Sequence, residues 1–131
     1  MKRVNGWGSA FLVCTLTALA GCGAGPSVQT FDPTVLSAQV GLPEAPFILD
    51  VRSTNEFAAG HIPQAMNIPH DELLDRISEL PTDFNATIVV HCHAGPRAEQ
   101  AEAILLESGY TDVHDLDGHW RGWVQENRPQ Q

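Results

Sequence analysis

The sequence lacks the features of an integral membrane protein and of a nucleic-acid-binding protein. Its N-terminal apolar run, from about Ala10 to Ala20, is too short to span a bilayer as a permanent helix. If an N-terminal signal is removed, Lys2 and Arg3 are lost with it. The remaining chain has five basic residues, all arginine, and sixteen acidic ones, which gives a net charge of −11. Such a charge repels nucleic acid and anionic lipid headgroups. We therefore expect no transmembrane domain and no nucleic-acid partner.

The N-terminus has the pattern of an export signal, with a positively charged start before the apolar run. The run ends in LAGC, residues 19–22, which resembles the lipobox of bacterial lipoproteins, whose cysteine is acylated and becomes the new N-terminus. The resemblance implies a signal peptide over residues 1–21, lipidation of Cys22 and a flexible tether over residues 22–29. The alternative is an ordinary secretory signal, with Cys22 unmodified.

Acylation of Cys22 would hold the protein on a membrane without crossing it. In the lipoprotein family, an aspartate after the acylated cysteine marks retention at the inner membrane, and here that position is Gly23. The resemblance therefore implies a place in the bacterial cell envelope, facing the periplasm, on the outer membrane where one is present. The membrane would be contacted through the lipid anchor only.

Cysteine is scarce, and processing would leave a single free thiol. Cys14 lies in the signal and the Cys22 sulfur would become a thioether, so Cys92 remains. No intramolecular disulfide can then form. A lone thiol in an oxidising compartment needs a function other than cross-linking.

The mature chain is long enough for one domain, and its strand and helix patterns alternate. Apolar runs predict strands at residues 46–51, 87–92 and 113–116, with a short, weak strand at 65–68. Capping signals and apolar spacing predict helices from Pro33 to about Gly41, over 53–60, over 70–80, from the 93–97 loop to Gly109, and over 120–126. This alternation predicts an α/β fold with a parallel sheet of about five strands and helices on both faces.

Cys92 lies at the carboxyl end of the most apolar predicted strand, which is where parallel sheets bind ligands. Residues 93–97, HAGPR, lead into a helix, and both helix N-termini and nearby cations favour a thiolate. A nucleophilic cysteine fits this position, while an inert buried cysteine and a metal ligand are the alternatives. His91 and His93 would point to the face of the strand opposite Cys92, which disfavours a metal site.

Several ordered motifs resemble the single-domain rhodaneses, a family of sulfurtransferases, over about residues 30–128. One position departs from the family pattern, because His119 follows Gly118 where the family usually has a second glycine. The matching motifs are Asp50-Val51-Arg52, Glu56-Phe57, Gly60-His61-Ile62-Pro63, Cys92-x-x-Gly95-x-Arg97, and Gly118 with Trp123.

The resemblance implies that Cys92 attacks a sulfane sulfur and carries it as a persulfide. The donor would be thiosulfate, polysulfide or another persulfide, and a thiol or cyanide would accept the sulfur. Arg97 either draws in an anionic donor or braces the loop. The protein would act as a monomer without cofactor or metal, and the substrate-binding loop would consist of His93, Ala94, Gly95, Pro96 and Arg97.

Three other functions are weighed against sulfur transfer. Cell-cycle tyrosine phosphatases share the fold but have five residues between cysteine and arginine, whereas this chain has four between Cys92 and Arg97. The smaller loop suits a single sulfur atom. A non-catalytic binding module and a thiol redox sensor remain as alternatives. The remaining motif residues are expected to be structural, with Asp50, Arg52 and His61 in the scaffold and Trp120 and Trp123 in the core.

Overall fold

The computed structural model describes residues 27–131. Five parallel strands form one sheet, and four α-helices and one short 3₁₀ helix, Ile77–Glu79, connect them. The α/β prediction is confirmed. The strands are β1 (Gln29–Phe31), β2 (Phe47–Asp50), β3 (Met66–Asn67), β4 (Ile88–His91) and β5 (Val113–Leu116), in the spatial order β1-β5-β4-β2-β3. The helices are α1 (Pro33–Gln39), α2 (Thr54–Ala58), α3 (Pro96–Glu107) and α4 (His119–Gln125).

Apolar side chains pack against both faces of the sheet, because alternate residues of a strand point to opposite sides. In β2, Ile48 and Leu49 belong to different apolar clusters. One cluster includes Leu105 of α3, and the other includes Leu36 of α1 and Trp123 of α4. Burial on both faces explains why the central strands have no polar alternation.

The predicted caps are present. The side chain of Asp32 accepts a hydrogen bond from the Thr34 amide at 2.6 Å, at the start of α1. At the start of α2, Ser53 and Glu56 form the predicted capping box, in which each side chain accepts from the other residue's amide. These short helices therefore begin where the sequence predicts.

The helix predicted over residues 70–80 is wrong. That segment consists of turns followed by the short 3₁₀ helix, and amides such as those of Glu72 and Glu79 bond to the carbonyl three residues earlier. Leu73 and Leu80 are buried, but Leu74 is 64% exposed. Because only part of the apolar stripe is covered, packing does not select a continuous α-helix here.

Strand β1 and the end of α3 also differ from the prediction. Strand β1 was not predicted, and it begins at Gln29, the last residue of the predicted tether. Its three residues are mostly exposed, so the sequence has no apolar run to signal it. Helix α3 ends at Glu107, with Ser108 as its C-cap, and its buried face includes Glu102.

The predicted signal peptide, Cys22 and most of the tether lie outside the described residues. Between residues 27 and 131, no helix is both long enough and apolar enough to cross a bilayer.

Candidate functional site

Cys92 follows β4 directly and begins the turn that leads into α3. Strand β4 lies at the centre of the sheet, between β5 and β2. Its four residues are all buried, so the strand is held on both faces and its carboxyl end is fixed. The fold therefore presents the thiol at a rigid strand end, next to the N-terminus of a twelve-residue helix.

The Cys92 sulfur is held by the backbone of its own loop. The Gly95 amide donates a hydrogen bond to Cys92 Sγ at 3.0 Å, and the cysteine is 1% exposed. Gly95 has a φ of 129°, a region that a residue with a Cβ rarely adopts. Glycine is therefore needed for the amide to face the sulfur, and the tight turn and the amide donor depend on the same residue.

Arg97 contacts a glutamate across the loop. Its two terminal nitrogens donate to the two Glu56 carboxylate oxygens at 2.6 and 3.0 Å. The pKa of Arg97 is raised, first by this hydrogen bond and to a smaller extent by the nearby Cys92. The same contact is the main reason why the pKa of Glu56 falls to about 2. The loop arginine is thus tied to the capping box of α2.

The rest of the loop faces solvent on one side and α4 on the other. His93, Ala94 and Pro96 are exposed. The carbonyl of Cys92 accepts from the Trp120 amide at 3.0 Å, and the carbonyl of His93 accepts from the Arg121 amide at 3.2 Å. The amides of the first turn of α4 therefore hold the loop backbone.

Asp50 and Arg52 form a buried ion pair beneath the site. Arg52 donates to the Asp50 carboxylate at 2.6 Å, and its guanidinium lies 4.4 Å from the centroid of the Trp120 ring. His91 lies in the same layer, with its Nε2 3.6 Å from Asp50, and burial lowers the pKa of His91. Near the end of α2, His61 stacks on Phe57. These contacts are those of a scaffold.

The structure places the two loop histidines in different environments, because His91 is buried and His93 is exposed. Within residues 27–131, no three histidine, cysteine or acidic side chains are grouped in a way that could hold a metal ion.

An acidic cluster that was not predicted from the sequence lies behind the loop. It consists of Glu102 of α3, Asp115 of β5 and His119. Glu102 is 6% exposed, and burial together with the Asp115 charge raises the pKa of Glu102 to about 8. Burial also raises the pKa of Asp115. His119 Nε2 lies 3.6 Å from the Asp115 carboxylate. The one signal for this cluster in the sequence was His119, which stands where the family usually has a second glycine.

Two cavities help to define where a substrate approaches. A cleft of about 260 Å³ lies beside the loop, and a larger one of about 490 Å³ lies far from the chemistry and shares no residue with the loop. The smaller cleft is the one that adjoins the loop, because Arg97 lines it. Its lining residues are Ser53, Thr54, Pro69, His70, Asp71, Glu72 and Arg97.

Known proteins share this sequence pattern. A sulfurtransferase of Allochromatium vinosum is 33% identical over 102 residues, which cover 78% of this chain and 94% of that protein. The thiosulfate sulfurtransferase PspE of Escherichia coli is 40% identical over 70 residues, 53% of this chain and 67% of that protein.

Solved structures share the fold. The solution structure of a rhodanese-like domain from Anabaena sp. has a TM-score of 0.69 and 29% identity, covering 80% of each chain. A rhodanese-related protein from Thermoplasma volcanium has a TM-score of 0.68 and 27% identity, covering 79% of this chain and 97% of that one. Residues 32–126 also match the family described as the rhodanese-like domain. The chain therefore belongs to the rhodanese-like domain family.

Proposed function

We propose that this protein is a sulfurtransferase that carries sulfane sulfur on Cys92. The observation that carries the proposal is the 3.0 Å hydrogen bond from the Gly95 amide to the Cys92 sulfur, at the N-terminus of α3. An amide donor and a helix N-terminus stabilise negative charge, whether on a thiolate or on the outer sulfur of a persulfide. The sulfurtransferase relatives support the same chemistry.

The reaction has two displacement steps at sulfur. The Cys92 thiolate attacks the outer sulfur of the donor, a new S–S bond forms, and the donor's S–S bond breaks with release of sulfite or a thiolate. The acceptor thiolate or cyanide then attacks the outer sulfur of the Cys92 persulfide. The bonding pair returns to Cys92 as a thiolate, so the protein undergoes no net oxidation or reduction.

Arg97 serves this reaction as a brace. Both of its terminal nitrogens are bonded to Glu56, and the cleft beside it also contains Asp71 and Glu72. A dianion such as thiosulfate gains little attraction from a cation that is already paired. We therefore rank small organic persulfides, whose persulfide group carries at most one negative charge, above the dianions thiosulfate and inorganic polysulfide as donors, and expect a lower KM for them in a steady-state comparison at equal ionic strength.

The test is the intact mass of a protein that begins after Cys22 and so has Cys92 as its only cysteine. Incubation with polysulfide or thiosulfate should add one sulfur atom, and cyanide should remove it. Cys92→Ser should remain folded and unchanged in mass. A folded, reduced protein that gains no sulfur from any donor would exclude the enzyme and leave a binding module.

The same measurements separate the other functions. A redox sensor would gain oxygen instead of sulfur when treated with peroxide, and would not pass a group to cyanide. A phosphatase would turn over aryl phosphates faster than it transfers sulfur. The four-residue loop between Cys92 and Arg97 leads us to expect negligible phosphatase activity.

We also propose that the protein is lipid-anchored at Cys22, in the cell envelope and facing the periplasm. The support is the sequence LAGC at residues 19–22, after an apolar run too short to span a bilayer. Cys22→Ala should move the protein from the membrane to the soluble fraction. A wild-type protein that is already soluble in the envelope fraction would contradict the anchor.

A further inference from the structure

His119 adopts a backbone conformation that suits glycine better. Its φ is 50°, and it directly follows Gly118, whose φ is 73°. A left-handed conformation costs free energy in any residue with a Cβ, and glycine avoids that cost. A histidine that persists in such a position points to a contribution from its side chain that offsets the strain.

The His119 side chain lies against the residue that holds the sulfur. Its Nε2 is 3.3 Å from the position that a Cβ on Gly95 would occupy, and the side chain is 11% exposed. The amide of that same Gly95 donates to Cys92 Sγ. The imidazole is therefore separated from the thiol by a single loop residue, on the side opposite the Glu56–Arg97 pair.

The same imidazole nitrogen also faces an acid. Nε2 of His119 is 3.6 Å from the carboxylate of Asp115 in β5, and Asp115 in turn interacts with Glu102 of α3. One oxygen of each carboxyl group and Nδ1 of His119 are buried without a hydrogen-bond partner. Buried polar atoms are normally paired, so three unpaired atoms in one cluster call for a functional explanation.

Acidic side chains lie next to the imidazole. Burial raises the pKa of both Glu102 and Asp115, and the two carboxyl groups interact with each other. Asp115 lies at ion-pair distance from His119 Nε2. The other charged or titratable groups that act on the cluster are Glu99 of α3, Asp117 after β5, and His91 of β4.

We propose that His119 is a positioning residue for sulfur transfer, held by Asp115 and Glu102 so that its positive charge supports the Cys92 loop from the side opposite Arg97. This inference rests on the proposed sulfurtransferase function. When the acceptor attacks the persulfide, the S–S bonding pair collapses onto Cys92 Sγ. A cation one residue away stabilises that developing negative charge without giving up a proton.

The test compares His119→Gly and His119→Asn in the full chain. Glycine removes the strain and the side chain, while asparagine tolerates the left-handed backbone and keeps a polar side chain without a cationic form. Both variants should fold, and His119→Gly should unfold at a temperature no lower than that of the wild type. Both should transfer sulfur about tenfold more slowly, because a nearby charge stabilises the leaving thiolate.

The pH dependence separates a charge effect from a packing effect. If His119 acts by its charge, both variants should alter the pH profile of the transfer rate. Asp115→Asn should alter the profile too, because the imidazole then loses its acidic neighbour, whereas Glu102→Gln should not, because glutamine resembles the protonated carboxyl group. Wild-type rates with an unaltered pH profile in His119→Asn would overturn the proposal.

A second readout does not require sulfur transfer. The ultraviolet absorbance of the Cys92 thiolate, with Cys92→Ser as the blank, should appear at higher pH in both His119 variants than in the wild type. An unchanged thiolate titration overturns the role of His119 even if sulfur transfer is confirmed. If the thiolate titration shifts but the protein forms no persulfide, the electrostatic effect of His119 on Cys92 stands and the sulfurtransferase function is excluded.

The matched control is His114→Asn. His114 of β5 is also a histidine paired with an acid, with its Nε2 2.8 Å from Asp112, and it lies beside Val89 of β4, three residues before Cys92. This variant should keep the wild-type rate and pH profile. An equal loss of activity in His114→Asn would show that substituting either histidine disturbs the structure in the same way, and would overturn the assignment.

Discussion

Two glutamates on opposite sides of the Cys92 loop have opposite electrostatic environments. Glu56 is 36% exposed and bonded to a guanidinium, and its pKa falls to about 2. Glu102 is 6% exposed and faces another acid, and its pKa rises to about 8. The same side chain is therefore a fixed anion on one side of the loop and mostly a neutral acid on the other.

The two sides hold the loop by different means. The Glu56 side supplies geometry, because a bidentate pair fixes the planar Arg97 guanidinium in one orientation. The Glu102 side supplies charge, through Asp115 and His119, and its buried polar atoms are incompletely paired. A substitution on the first side should therefore alter the shape of the loop, and one on the second side its response to pH.

The largest expected effect comes from breaking the Glu56–Arg97 pair. Arg97→Lys keeps the positive charge but cannot make both hydrogen bonds to Glu56, so we expect sulfur transfer to fall about tenfold or more. Glu56→Gln should cause a similar loss, because it releases the same guanidinium. Steady-state rates with polysulfide as donor and cyanide as acceptor measure both.

The double variant Glu56→Gln with Arg97→Lys tests whether the two residues act as a unit. If they brace the loop together, the double variant should be no worse than either single one. Losses that multiply would show that Arg97 acts on the donor independently of Glu56, and would restore the substrate-binding role that the sequence left open.

The two glutamates also differ in how well their contacts could be predicted from the sequence. Glu56 belongs to a capping box whose two members are three residues apart, so local spacing was enough to place it. Glu102 is buried against Asp115 of another element, and no local pattern reports that contact. Motifs within one segment, such as Cys92 to Arg97, were predictable for the same reason.

The second prediction concerns Glu102→Gln, which should stabilise the protein at pH 8. The folded-state pKa of Glu102 is about 8, above its ordinary value of 4.5, so the unfolded chain loses this proton first. Stability therefore falls as the pH rises from 4.5 to 8, and glutamine removes that loss. We expect a gain of about 1 to 2 kcal/mol, limited because Asp115 shares the proton.

Urea unfolding at pH 4.5 and at pH 8 measures this gain, which should be near zero at the lower pH. Glu107→Gln is the matched control, since it makes the same change on an exposed position of α3. A gain of equal size in both variants, or one that does not depend on pH, would contradict a buried, protonated Glu102.

The third prediction concerns Glu56→Gln, which should change the stability in the direction opposite to Glu102→Gln. The pKa of Glu56 is about 2 in the folded state and ordinarily 4.5, so its stabilising effect is present above pH 4.5 and lost as the pH falls toward 2. Glu56→Gln should cost about 1 kcal/mol at pH 7, a modest value because a third of the side chain is exposed. Acid unfolding should show the difference from the wild type shrinking below pH 4.5.

The segment over residues 70–80 also shows that local sequence patterns do not report tertiary contacts. Its apolar spacing fits a helix, yet the structure buries Leu73 and Leu80 with turns and a 3₁₀ helix and leaves Leu74 exposed. The spacing reports which side chains are apolar, and tertiary packing decides which of them are covered. Strand β1 was missed for the opposite reason, because its pairing with β5 requires no apolar run.

The smallest expected effect comes from the capping box itself. The Ser53 hydroxyl accepts from the Glu56 amide and also donates to the Glu56 carboxylate at 2.9 Å. Ser53→Ala should therefore cost about 1 kcal/mol of stability, and Ser53→Gly only a few tenths, because glycine also serves as an N-cap. Sulfur transfer should fall less than about twofold, since Arg97 alone can hold the carboxylate. Sulfur transfer could instead fall as far in Ser53→Ala as in Glu56→Gln. That outcome would mean that the N-cap of α2, and not the Arg97 guanidinium, fixes Glu56.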